Sequence, residues 1–168
     1  TKSFVEAEIQ ETAFLELVEP DIQGGVAKCI NQGAIHISVV PILLLTAQHA
    51  NEDIPAEIKI AKERYPHVTF STGRPFGIHP ALIETVYERI VEQQVPINAD
   101  AEVLLIGRGS SDIAVVWDMA RISEQLKETY GFREVKSCFL YGAGPSFDQK
   151  LVELKSKQTK QVFIVPYL

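Results

Sequence analysis

The chain has 168 residues, 46% hydrophobic and 23% charged, with a net charge of −6. Those values describe a globular protein with room for one large or two small domains. They exclude a nonspecific nucleic-acid binder, which needs surplus Lys and Arg to meet phosphates, and give no long-range attraction to an anionic substrate.

In chain order, "TKSFVEAEIQ" opens without a Met and shows no signal-peptide pattern. "AEIQETAFLEL" (7–17) reads as a strand. Pro20 and Asp21 then open a helix, because Pro lacks only an N–H that the first turn leaves unpaired. Ile22, Val26, Cys29 and Ile30 form its buried stripe, and Gly33 ends it. "AIHISVVPILLL" (34–45) is expected to be a buried strand covered on both faces. It is also the longest apolar run, and His36, Ser38 and Pro41 interrupt it well short of a membrane span. A helix follows from Asp53 or Pro55 to Arg64, where Pro66 stops it, and "HVTFSTG" (67–73) is the next strand. "HPALIETVYERIVEQQ" (79–94) is an amphipathic helix, and "VPINADAE" is a polar break. Beyond it come "EVLLIGRG" as strand, "SDIAVVWDMARISEQLKETYG" as helix, "EVKSCFLY" as strand, "SFDQKLVELKSK" as helix and "KQVFIVPYL" as strand. Such alternation implies an α/β fold with parallel sheets. Cys29 and Cys138 lie among apolar residues and form no disulfide framework. They read as buried free thiols of a reducing, cytoplasmic compartment.

Shifting the chain by 125 residues lays Phe14–Leu15 on Phe139–Leu140, Pro20 on Pro145 and Val40–Pro41 on Val165–Pro166. Strand, Pro-started helix and strand thus recur at one register, the mark of a duplication. The expected organisation is two related halves, 1–98 and 99–168, each incomplete, with both ends of the chain reading as cut.

In open α/β sheets, ligands bind outside the carboxyl ends of the strands. Glu16 ends the first expected strand, and alone it reads as a solvent-facing acid rather than a ligand. His49 follows the second, in "LLLTAQHANEDIP", and alone it reads as a cap or surface His rather than a ligand. A carboxylate and an imidazole at neighbouring strand ends suit a borderline divalent cation with open positions for exchange. Asp53 is either the N-cap of its helix or a carboxylate that fixes His49. "GRGSSDIA" is neither a P-loop nor GxGxxG. It is either an anion-holding loop at a helix N-terminus or a tight turn capped by Ser111 or Asp112. His36, His67 and His79 read as structural.

The stretches "FLELVEP", "VVPILLLTAQHANEDIPAEI", "RPFGIHPAL", "LLIGRGSSD" and "VFIVPYL" together resemble the sirohydrochlorin chelatases, the class II chelatases of sirohaem and cobalamin synthesis. The resemblance covers nearly the whole chain. It implies two α/β halves with the active cleft between them, and insertion of Fe(II), or alternatively Co(II), into sirohydrochlorin without cofactor or ATP. The family pattern has a first-strand "GHGS" His, an "FLE" Glu and a His after the third strand. The last two match Glu16 and His49, which the resemblance makes catalytic and metal-holding. The first falls before Thr1. In the second copy the corresponding places read "GRGS", with Arg108, and "FLY", with Tyr141. Arg74, Arg108, Ser110 and Ser111 are the groups expected to hold the carboxylates of the tetrapyrrole. Partners are then the tetrapyrrole and a divalent metal, with no nucleic acid and no membrane, in a monomer or homodimer. The alternatives are a non-catalytic metal- or tetrapyrrole-binding protein of the same fold, and a flavodoxin-like anion-binding domain built on "GRGSSD".

Overall fold

The computed structural model describes residues 4–45 and 49–168, and of His49 and Asn51 the backbone alone. The elements are α1 (Ile22–Asn31), β1 (His36–Val39), a π-helical turn (His49–Asp53), α2 (Ile54–Arg64), β2 (Thr69–Thr72), α3 (Pro80–Val91), β3 (Glu102–Gly107), α4 (Ile113–Tyr130), β4 (Glu134–Phe139), α5 (Phe147–Ser156) and β5 (Val162–Tyr167). β1 and β2 pair in parallel, and a second parallel sheet has the order β4-β3-β5. The expected α/β architecture is therefore present. By packing, the chain forms two compact units, Thr1–Ile42 with Gln48–Pro75, and Leu43–Ala47 with Phe76–Leu168. α3 thus packs with the second unit, although it precedes the polar break at 95–102.

In the first unit Ile37 and Phe70 stand opposite each other in register and are buried, together with Val26, Ile54, Ile58, Ala61 and Val68. The other sheet face is solvent-exposed: the Ser38 and Ser71 hydroxyls meet there at 2.8 Å. The expected doubly covered strand over 34–45 is therefore corrected. Regular pairing stops at Val39, and Ile35, Val40 and Ile42 are exposed. The ladder closes with the Gly73 N–H donating to the Val39 carbonyl, just before Pro41, which has no N–H to continue it. The strand expected over 7–17 is also corrected. Among the described residues only Phe14 pairs, in a parallel bridge to Asp21. A strand exists through its partners, and alternating residues without a neighbouring ladder stay irregular.

The second unit explains its own sequence well. β3 lies between two strands and is buried along all its residues, which accounts for the unbroken "VLLI". Val103, Leu105, Val135, Phe139, Val165 and Tyr167 face one way, against Ile83, Val86 and Ile90 of α3 and Val115, Met119, Ile122 and Leu126 of α4. Leu104, Ile106 and Cys138 face the other way, with Phe147 and Leu154 of α5. Cys138 is buried as expected, whereas Cys29 is half-buried. Burial pushes both thiols up, with Glu11 adding to the effect at Cys29, so neither favours a reactive thiolate.

The correspondence at the 125-residue offset extends to single hydrogen bonds. α1 and α5 coincide residue for residue at the 125-residue offset. Their N-caps, Asp21 and Ser146, accept from the N–H of Gly24 and Gln149, which are again offset equivalents. The N–H of Phe14 donates to the Pro20 carbonyl at 2.8 Å, and that of Phe139 to the Pro145 carbonyl at 3.0 Å. Parallel bridges join Phe14 to Asp21 and Phe139 to Ser146. Residues 14–21 and 139–146 are therefore one loop design used twice, each pinned at its neck.

Candidate functional site

Glu16 sits two residues past the neck of the first pinned loop and is exposed. The Val18 N–H donates to the Glu16 carbonyl at 2.8 Å, closing a γ-turn over Leu17, whose φ is 68°. A γ-turn with positive φ is the rare, strained form, and for a γ-branched residue such as Leu the left-handed region is costly. Leu17 is fully exposed, so no core packing of its side chain compensates. Strain of this kind clusters where a chain must present a group in one direction, and the group beside it is Glu16. Sequence reasoning singled out Glu16 but missed the turn, since nothing in "FLELVEP" signals positive φ at a Leu.

His49 opens the π-helical turn that runs to Asp53, directly before α2. Single π-turns are rare and recur at functional sites. The His49 side chain and residues 46–48 lie outside the described residues, so the expected sharing of one cation by Glu16 and His49 falls there too. Among the described residues no three His, Cys, Asp or Glu side chains converge on a metal position. Asp53 occupies the N-cap position of α2, but its side chain makes no capping hydrogen bond and its backbone is already helical. The capping role is thereby set aside.

Arg74 is exposed just beyond the carboxyl end of β2. In the second unit Arg108 follows β3, exposed, with its guanidinium carbon 5.7 Å from the centroid of the Tyr141 ring. The N–H of Asp112 donates to Ser110 Oγ at 3.0 Å, and the Asp112 carboxylate caps α4 by accepting from the Ala114 N–H at 2.9 Å. Between the two cap candidates, Ser111 and Asp112, the structure selects Asp112. His79 caps α3 through Nδ1, which accepts from the Ala81 N–H at 3.2 Å. His36 and His67 are exposed and lie at the start of β1 and just before β2. Arg74, Arg108, Ser110 and Ser111 thus all follow the carboxyl ends of parallel strands, where ligands of such sheets bind.

Parallel sheets with helices between their strands define an α/β protein of the open-sheet class. Comparison with known proteins is more specific. The CbiX family profile matches residues 2–93 and 102–168, and the chain belongs to that family. It is 46% identical over 99% of its length to the sirohydrochlorin ferrochelatase of Priestia megaterium, and 36% identical over 94% to the sirohydrochlorin cobaltochelatase of the same organism. It spans 63% and 52% of those two proteins. A solved structure of SirB from Bacillus subtilis with Fe3+ matches 99% of the chain at 46% identity with a TM-score of 0.92, and the chain covers 66% of it. The family indicated by "FLE" and "LTAQHANEDIP" is thus the family found.

Proposed function

We propose that the protein inserts a divalent metal, Fe(II) in preference to Co(II), into sirohydrochlorin. The observation that carries this reading is the 46% identity to a sirohydrochlorin ferrochelatase across 99% of the chain, with Glu16 set beside a strained turn. Metallation brings a divalent ion to the ring and releases two pyrrole protons. Glu16 binds the ion through its carboxylate and offsets its charge. His49 ligates as neutral imidazole and takes up one of these protons as the ring nitrogens replace it, a task suited to imidazole, and the other proton passes to solvent. Asp53 orients His49. Arg74, Arg108, Ser110 and Ser111 hold substrate carboxylates that the net charge of −6 would otherwise repel. No helix of the described residues is long and apolar enough to cross a membrane, in keeping with action in the cytoplasm, as a monomer or homodimer. Residues 1–98 then form the half that supplies the metal ligands and 99–168 an altered copy that serves the tetrapyrrole. The matching caps of α1 and α5 support descent from one unit.

The test is anaerobic metallation of sirohydrochlorin, followed by absorbance with Fe(II) and with Co(II). Glu16→Gln and His49→Ala should each lower the rate by about 10²–10⁴-fold, the scale of losing a positioned acid–base or ligand group. The thermal midpoint of Glu16→Gln should stay near the parent's, because Glu16 is exposed and contributes little packing, and circular dichroism checks that His49→Ala is folded. Parent-like rates in both variants would refute the assignment.

A further inference from the structure

We infer that Arg108 and Tyr141 form a carboxylate-docking pair for the tetrapyrrole, a charge-reversed counterpart of the Glu16 position. This rests on the chelatase reading above and names what its substrate touches. Tyr141 lies at the 125-residue offset from Glu16, and each stands two residues past the phenylalanine that pins its loop. The same backbone device therefore presents a carboxylate in one half and an aromatic ring in the other.

That exchange reverses what the position can hold. A carboxylate holds a cation. At residue 141 it would pair with Arg108 and quench it. A phenol ring instead takes the guanidinium against its face, at 5.7 Å here, and leaves the N–H edge unspent. No carboxylate among the described residues pairs with Arg108, and the nearby Asp112 is engaged in capping α4. Ser110 Oγ accepts from the Asp112 N–H, so its own proton remains for an incoming anion. A planar fork of donors beside a hydroxyl matches a carboxylate, which it can grip with two parallel hydrogen bonds.

The pair is also held in place before any ligand arrives. The N–H groups of Leu140, Tyr141 and Ala143 donate to the carbonyls of Gly107, Arg108 and Ser110, extending the β3–β4 ladder into both loops. The approach is so close that a side chain at Gly109 would collide with the Tyr141 carbonyl, and one at Gly142 with that of Ser110. Both glycines have positive φ, 109° and 80°. Arg108 and Tyr141 are both exposed, so the rigid part is backbone and the open part is the guanidinium.

The test measures binding of metal-free sirohydrochlorin and of its fully methyl-esterified form to the full chain by fluorescence, beside metallation rates. Arg108→Ala should weaken binding of the free acid about tenfold or more, on the scale of a lost charge-assisted pair. Arg108→Lys should lose less, since charge remains but the fork does not. Tyr141→Glu should lose about as much as Arg108→Ala by pairing with Arg108, and Tyr141→Ala less than either. None of the four should change binding of the ester. Free-acid affinity unchanged in Arg108→Ala, or an equal loss with acid and ester, overturns the pair. A parent that binds the acid but never metallates it leaves the pair intact and removes the chelatase reading. A parent that binds neither form removes both. Circular dichroism confirms that each variant is folded.

Discussion

At the scale of single residues, backbone conformation limits substitution more than side-chain chemistry does. Gly109 and Gly142 each lie with positive φ against a carbonyl oxygen of the opposite loop. A Cβ there meets backbone, which cannot swing aside as a flexible side chain can. We expect Gly109→Ala to cost at least about 2 kcal/mol, the scale of backbone strain combined with steric overlap. Thermal or urea unfolding of the variant checks this, and a loss below the error of the measurement would mean that the loops separate easily. Leu17 is the converse case. Its φ of 68° suits Gly, and its side chain is wholly exposed. Leu17→Gly should therefore hold or slightly raise stability by relieving strain. If the strained turn aims Glu16, the same variant should slow metallation. The residue types were legible in the sequence at all three positions, but not the dihedral at Leu17, which no local pattern dictates.

Among the elements, helices were the most legible and edge strands the least. The bounds of α3, α4 and α5 follow from Pro80, Asp112, Gly131 and Ser146, which act through the few bonds nearest them. β1 proved shorter than its apolar run because burial of Ile35, Val40 and Ile42 depends on neighbours that the local sequence does not specify. Asp21→Ala and Ser146→Ala should each cost about 1 kcal/mol, since they remove equivalent capping bonds in two helices that match at the 125-residue offset. Chemical denaturation of the two variants makes the comparison. α5 carries a further constraint. Glu153 meets Lys136 of β4 at 2.8 Å, Lys150 at 2.6 Å and Lys157 at 3.0 Å. Hydrogen bonds from these three ammonium groups hold its carboxyl well below its ordinary value of 4.5. A carboxyl depressed on folding stabilises the folded chain above its unfolded value, and that contribution fades as pH falls through the folded one. Glu153→Gln should therefore lower the thermal midpoint at neutral pH, where it also leaves three lysines facing one another. The gap to the parent should narrow steadily below pH 4.5. A gap independent of pH would show that Glu153 acts by packing alone.

At the scale of the whole molecule, the two units rest on different amounts of buried structure. The second has a three-stranded sheet covered on both faces, with β3 buried throughout. In the first, β1 and β2 are four residues each, only Ile37 and Phe70 of their paired residues are buried, and one face meets solvent. The alternation of strands and helices announced both sheets. It could not announce this asymmetry, because Ile42 and Leu105 are equally apolar in sequence and differ only in what covers them. A two-stranded ladder is marginal unless a helix layer supports it, and local opening follows the least buried backbone. We therefore expect native-state hydrogen exchange to rank the amides, slowest for Val103–Ile106 of β3 and markedly faster for Ile37–Val39 and Phe70–Thr72. Leu105→Ala, which empties a fully buried position, should cost about 2–5 kcal/mol and speed exchange through the second unit. If the units open independently, β1 and β2 should keep their parent rates in that variant. If one cooperative transition covers both, every slow amide should accelerate by the same factor. Equal protection of β1 and β3 in the parent would contradict the asymmetry itself. Should the ranking hold, the polypeptide carrying Glu16 and His49 lies in the more readily opened unit and the Arg108–Tyr141 pair in the more rigid one. If Glu16 and His49 hold the ion as proposed, metal added before the tetrapyrrole should then slow exchange in β1 and β2 and leave β3 unchanged, since a ligand protects the segment whose opening it opposes.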